Sequence, residues 1–403
     1  MQSLPRLTAE QTAERLGVKL ETLYAYVARG RLSRERTADG STFDALEVER
    51  FASSRRRSPA PGARHGEGRP LMVIETDFAL IEDGELYYRG RAATELADEP
   101  FETVARWALT GRWEADARFS PGAGLDAARA AAAALPPGAG DRDRQLVAVT
   151  ALAAADPLRT SLDPADVAGA AERLVAGMVA VLPSGAADPA GTSLASALWS
   201  RLSPQPARAG SVRTLNAALV LLLDHDLAVS TLAARAAASA RATPYAVVVT
   251  GLGALDSPLH GNASRAAHRL LSRVIGGDEP ARAVADAVVD GRGPLPGFGQ
   301  PLYPSGDPRA RILLGMLSED PDAAPVVDAV ERVSAVLRDR TGAEPNVDLA
   351  LAALSLAGGM RDDAGEVVFA TARSVGWIVH AIAEYAERPL RLRPVGRYAG
   401  PSA

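Results

Sequence analysis

The sequence predicts a mainly α-helical chain, with a long helical body behind a small N-terminal module. Three observations carry this. Hydrophobic residues make up 47% of the 403 residues but aromatic ones only 5%. That mix suits packed helices better than a β-sandwich, whose strands favour aromatic and β-branched side chains. Almost everything after Ala92 has helical apolar spacing, broken by Pro/Gly loops near 136–141, 184–192, 203–210 and 291–308. The charge also divides: residues 1–70 carry 13 Arg+Lys against 9 Asp+Glu, and the remainder carries 31 against 40. A basic first module on an acidic body points to a polyanion partner for that module.

The chain is long enough for two or three domains. It has no cysteine, which excludes a disulfide framework, a thiolate zinc site and a cysteine nucleophile. The start, MQSLPRLTAEQTAERL, has no basic segment followed by an apolar core. The strongly apolar stretch 215–223 is too short to span a bilayer. These features predict a cytoplasmic protein without a membrane partner.

Taken in order, residues 1–57 form the first unit. Leu7 and Thr8 open a helix with Glu10 and Gln11 in its first turn, an N-capping pattern. Ala13 and Leu16 supply its apolar stripe and Gly17 stops it. A second helix covers 20–28, with Leu23, Tyr24 and Val27 on its apolar side, and Gly30 ends it. Residues 32–43, with Asp39-Gly40 at their centre, read as a hairpin, and a third helix runs from Asp44 to about Arg55. Residues 58–70, rich in Pro, Gly and charge, are a linker; His65 within it reads as an exposed residue. Residues 71–89 alternate like short strands around the Asp83-Gly84 turn, and helices follow.

Four segments each place a titratable or hydrogen-bonding residue beside a helix-breaking loop. His225 lies in LLLDHDLAVSTLAAR, and His260 in SPLHGNASRAAHRLL. PGFGQPLYPSGDPRA ends in Arg309, and Asp348 opens the apolar run of AEPNVDLALAALSLAGG. A lone histidine at a helix end is usually structural, so none of these carries a function by itself. No metal-ligand spacing appears among them.

Together these segments resemble the citrate synthase family, over about 71–401. The stretch ETDFALIEDGELYYRG resembles the family's early D…G.L.YRG pattern, and LDHDLAVSTLAAR resembles D-H-E-L-N-A-S-T-F. SPLHGNA resembles G-P-L-H-G-G-A, GFGQPLYPSGDPRA resembles G-F-G-H-x-x-Y-x-x-x-D-P-R, and PNVDLALAAL resembles P-N-V-D-F. ARSVGWIVHAIAEYAERPLRLRPVGRYAGP resembles the closing helix and its R-P-x-x-x-Y-x-G tail.

The resemblance implies a homodimer with a large helical domain, 71–261 plus 361–403, and a small one, 262–360. It implies condensation of acetyl-CoA or propionyl-CoA with oxaloacetate, giving citrate or 2-methylcitrate and free CoA. Acyl-CoA would be a substrate, and no cofactor is implied. Asp348 would be the base that takes a methyl proton, and His260 the donor to the thioester oxygen. His225, Arg309, Arg373 and, from the other subunit, Arg393 would hold the dicarboxylate, arginine being suited by its forked guanidinium. His268 and His380 match no catalytic position and read as packing or surface residues.

Two departures bear on the chemistry. Gln300 stands where the family carries a third histidine; an amide can donate a hydrogen bond but not a proton, and acid–base assistance is worth roughly 100- to 10,000-fold. Asn262 replaces a glycine. An alternative is therefore a weakened, metabolite-sensing body under a DNA-binding regulator. The first module resembles the winged helix-turn-helix of the MerR and excisionase type. That resemblance implies groove contacts from Lys19, Thr22, Tyr26 and Arg29, and phosphate contacts from Arg34 and Arg36.

Overall fold

The computed structural model describes residues 4–37, 40–57, 73–183, 192–257, 261, 263–291 and 295–400, with only the backbone of 56 and 57. The hairpin tip at Asp39, the linker 58–70 with His65, and His260 and Asn262 lie outside the described residues.

The first module runs β1 (Arg6–Thr8), α1 (Ala9–Leu16), α2 (Leu20–Ala28), β2 (Glu35–Thr37), β3 (Gly40–Asp44) and α3 (Ala45–Arg57). The three strands form one antiparallel sheet in the order β1-β3-β2. The expected capping pattern is present: the Thr8 hydroxyl accepts from the Gln11 N–H, and the Gln11 side chain accepts from the Thr8 N–H. Gly17 closes α1 at φ 61°, a conformation glycine adopts without a Cβ penalty. Leu7, expected to open the helix, lies instead in β1 opposite Phe43. Both side chains are buried there, and pairing with β3 settles the local conformation.

The body begins with β4 (Ala79–Glu82), β5 (Glu85–Tyr88) and β6 (Arg91–Ala92), an antiparallel sheet turning at Asp83-Gly84. Helices follow: α4 (Ala93–Leu96), α5 (Phe101–Thr110), α6 (Leu125–Ala133), α7 (Asp141–Ala155), α8 (Pro164–Ala180) and α9 (Leu194–Leu202). Next come α10 (Ala209–Leu221), α11 (Val229–Ser239), α12 (Pro244–Leu255), α13 (Ala263–Ile275), α14 (Pro280–Asp290), α15 (Pro308–Ser318), α16 (Ala324–Thr341), α17 (Val347–Ala357) and α18 (Ala364–Ala386). The start signals are those a sequence can carry, as in α8, where the Asp163 carboxylate caps the helix and Pro164 occupies its first position.

Helix α18 organises the body, packing against α5, α7, α8, α10, α11, α12, α13 and α17. It is long and apolar enough to cross a membrane, yet 83% of its apolar window is buried by these neighbours. Gly376 lets it approach the end of α10, since a Cβ there would lie 2.1 Å from the Leu223 carbonyl oxygen. Helices α13 to α17 pack largely on one another, and the first module rests on them through α3 against α14 and α16.

Candidate active site

The site forms where α10 ends, where α15 and α17 begin, and where α18 passes beneath. Asp307 joins the two helix starts. Its carboxylate accepts from the Arg309 backbone N–H (3.1 Å), from Arg309 Nε and Nη2 (2.9 and 2.8 Å) and from the Val347 N–H (3.0 Å). Thus one acid caps α15, fixes the Arg309 guanidinium by a two-pronged bond and pins the first turn of α17. Arg309 is 2% exposed. Its Nη1 has no partner among the described residues.

Asp348 lies in the first turn of α17, with its N–H donated to the capping Asn346 side chain at 3.0 Å. Burial pushes its carboxyl from the usual 3.8 up to about 6, against the opposing pull of Arg309. A carboxylate so displaced is a stronger base than an ordinary aspartate, and the helix start favours its ionised form.

The loop bearing Gln300 is hooked to the strand of chain before Asp348. Gly299 N–H donates to the Glu344 carbonyl (2.8 Å), Asn346 N–H to the Gly297 carbonyl (2.9 Å), and Asn346 Nδ2 to the Gly299 carbonyl (3.0 Å). Gly297 and Gly299 both take positive φ, 81° and 76°, in making this turn. Gln300 is half-buried and directly follows Gly299, which is bonded to the chain before Asp348.

Arg373, on α18, is 1% exposed. Its Nε donates to the Leu222 carbonyl at 2.9 Å and its guanidinium lies 4.5 Å from the Phe369 ring centre. Nη2 is buried with no partner among the described residues. Burial lowers the pKa of this cation, and Arg309 is close enough to lower it further. Tyr303 bridges the region: its ring stands 5.3 Å from the His225 ring and 5.5 Å from the Arg309 guanidinium. Its hydroxyl is buried without a partner among the described residues, and burial holds it protonated by raising its pKa. Two buried guanidinium groups and a buried hydroxyl without a partner among the described residues, gathered in one region, suit a small anion.

His225 is held from behind by a network that no local sequence signal announced. The Tyr88 hydroxyl, fully buried, lies 3.1–3.2 Å from the carbonyls of Val220, Leu221 and Asp224, fixing the exit of α10. Asp224 Oδ2 meets His380 Nε2 at 2.8 Å, and His380 Nδ1 meets Arg235 Nη1 at 3.0 Å. Arginine only donates, so Nδ1 must accept and the ring proton sits on Nε2, directed at Asp224. Arg235 continues to Glu384, which also binds Arg391 through two bonds of 2.9 and 2.7 Å. His380 is thus a buried member of a charged chain that supports the His225 turn. Arg391 is committed to Glu384, whereas Arg393 is exposed on the tail beyond α18, with Val395 97% exposed nearby. Arg393 does not meet the site within one chain.

In the first module, Lys19, Arg29, Arg34 and Arg36 are exposed and Thr22 is half-buried. Tyr26 packs edge-on against Phe51, 5.0 Å between ring centres, with Arg55 above it. Among the described residues no group of three His, Asp or Glu side chains could hold a metal ion.

The fold and site define a helical protein with a desolvated carboxylate, Asp348, under the pull of the buried Arg309, with the buried Arg373 close by. The family model for the citrate synthase C-terminal domain matches residues 68–395. The chain belongs to the citrate synthase family. It is 31% identical to citrate synthase of Thermoplasma acidophilum over 201 residues, 47% of this chain and 52% of that one. It is 28% identical to 2-methylcitrate synthase 2 of Corynebacterium glutamicum over 194 residues, 47% of this chain and 50% of that one. The chain therefore spans about half the length of these curated relatives. The solved Thermoplasma acidophilum citrate synthase, a ternary complex with carboxymethyl coenzyme A and oxaloacetate, shares the fold. Its TM-score is 0.70 at 24% identity, covering 83% of this chain and 95% of that one.

Proposed function

We propose that this protein joins the carbon next to the thioester of an acyl-CoA, acetyl or propionyl, to the carbonyl of oxaloacetate, releasing citrate or 2-methylcitrate and free CoA. The observation that carries the reading is Asp348, a carboxyl pushed up to about 6 beside Arg309. Removing a proton from the carbon next to a thioester needs a base whose pKa approaches the working pH. Asp348 takes that proton as its carboxylate, and the C–H electron pair moves towards the thioester oxygen. His260, by family resemblance, donates a hydrogen bond to that oxygen. The enol carbon attacks the oxo carbon of oxaloacetate, whose carbonyl pair becomes an alkoxide and then a hydroxyl. Water then cleaves the thioester, leaving a carboxylate and the CoA thiol.

Arg309 Nη1, Arg373 Nη2 and the Tyr303 hydroxyl supply donors for the acceptor's carboxylates, with His225 beside them. Gln300 takes the place from which the family's third histidine meets the acceptor carbonyl, donating a hydrogen bond without a proton. Helices α13 to α17 form the smaller domain of this reading, closing on the rest to exclude water. The exposed tail carrying Arg393 supports a homodimer in which each chain completes its partner's site. The test is oxaloacetate-dependent release of free thiol from acetyl-CoA and propionyl-CoA. Release from either supports the reading, and the faster one identifies the donor. No release from either above background overturns it.

A second reading concerns the first module alone. Two helices joined across Gly17, followed by a β-hairpin and exposed Lys19, Arg29, Arg34 and Arg36, favour a winged helix-turn-helix that binds DNA. Salt-dependent binding of the whole chain to its own upstream DNA supports it, and no binding at low salt rules it out.

A further inference from the structure

The first module does not hang from the body; it is seated on it, and its third helix faces a cavity at the Gln300 loop. Arg15 is the latch. Its guanidinium donates twice to Glu49 of α3 (2.9 and 2.6 Å) and once each to the Val288 and Gly291 carbonyls (2.9 and 2.8 Å). Those carbonyls close the C-terminal end of α14, where a cation is favoured. The Arg15 and Glu49 side chains are only 4% and 3% exposed. Glu49 and Ser53 stand one helical turn apart on the same face of α3, with the Ser53 hydroxyl 3.3 Å from Glu49 Oε1.

That face forms one wall of a cavity of about 320 Å³, whose other walls include Phe298, Gln300, Tyr303 and Glu344. This is within the range of small-molecule sites. Its two glutamates are already paired, Glu49 with Arg15 and Glu344 with Arg338. The rest of its lining is largely apolar, with the Gln300 amide, the Ser53, Thr341 and Tyr303 hydroxyls, and Asp307, whose carboxylate is bound to Arg309. The same loop links this cavity to the buried arginines: Tyr303, in its lining, contacts His225 and Arg309, and Asp307, also in its lining, fixes Arg309.

We propose that the N-terminal module builds part of the acyl-donor site, with Ser53 and Glu49 of α3 contacting the uncharged part of the acyl-CoA as it reaches past Gln300. This rests on the condensation reading. The small dicarboxylate is held at the buried Arg309 and Arg373, and the bulkier thioester occupies this cavity. The module thereby acts on donor affinity and not only on a partner of its own.

The chain has no cysteine, so Ser53→Cys introduces a single thiol with little change of volume. Its alkylation by N-ethylmaleimide is followed by mass, in the whole chain, with Ser54→Cys as the control. Ser54 is exposed on the next position of α3. S-carboxymethyl coenzyme A, an unreactive thioether, is the probe, with oxaloacetate present. At ten times its Kd it slows modification of the Ser53→Cys thiol roughly tenfold if it covers the site, and leaves the Ser54→Cys thiol unchanged. Ser53→Trp raises KM for acyl-CoA roughly tenfold or more, with KM for oxaloacetate nearly constant. If that variant does not fold, the alkylation experiment decides. Turnover by the unmodified chain without protection overturns this inference and leaves the condensation reading standing. Protection without turnover supports the donor site and removes the enzyme reading. Neither turnover nor protection overturns both.

Discussion

Asp348 stores a measurable cost in the fold. Its carboxyl, ordinarily at 3.8, is displaced to about 6 by burial. The folded chain therefore holds that proton more tightly than the unfolded chain, so the stability the group contributes is complete below pH 3.8. It is lost as pH rises through 6. Above that, the displacement corresponds to at most about 3 kcal/mol of destabilisation. Residual exposure and solvent screening reduce this, and the helix start returns about 0.3–1 kcal/mol to the ionised form. Asp348→Asn removes the charge at nearly constant volume, so a net gain of about 1–2 kcal/mol is expected at pH 8, roughly 1–2 °C in Tm for a chain of 403 residues. At pH 4 the gain should vanish, because the native carboxyl is already protonated. Thermal unfolding of both proteins across pH 4–8 checks this. An unchanged or lower Tm for Asp348→Asn at pH 8, or an equal gain at pH 4, refutes the account of Asp348 as a desolvated carboxylate.

Other perturbations separate the parts of the site. Gln300→His restores a proton donor beside the acceptor carbonyl, and kcat for thiol release is expected to rise, by up to roughly 100-fold, with KM for oxaloacetate changing little. Arg373→Met removes a buried cation whose Nη2 is unpaired among the described residues. KM for oxaloacetate should rise roughly 100-fold while KM for acyl-CoA stays near its starting value in steady-state assays. Arg15→Met takes the guanidinium away from the buried Glu49 carboxylate, which should cost up to about 3–5 kcal/mol. Replacing Glu49 with Met in the same chain should recover most of that in denaturant titrations.

Much of the layout could be read from residues that act locally. Thr8 and Gln11 announced the start of α1, Gly17 its stop, and Asp348 its place in the first turn of α17, because caps and breakers act within a few residues. Features built across the chain were not legible. β1 is three residues long and takes its identity from β3. The support behind His225 joins Asp224, Arg235, His380, Glu384 and Arg391, which share no spacing that a motif could reveal. His380 accordingly read as a packing or surface residue. Tyr303 sat inside a quoted loop, but its role depends on His225 and Arg309 arriving from other elements. Asp307 could have been found: an Asp-Pro start two residues before Arg309 is a helix-cap signature whose carboxylate then lies within reach of that arginine. The seating of the first module was hidden for the same reason, since Arg15 reaches carbonyls at 288 and 291.

The most direct measurement of the central claim follows the methyl hydrogens of the donor. With trideuterated acetyl-CoA and oxaloacetate, removal of one methyl hydrogen by Asp348 predicts a product carrying two deuterons by mass spectrometry, and none formed by Asp348→Asn. A product retaining all three deuterons, or undiminished formation by Asp348→Asn, would contradict it.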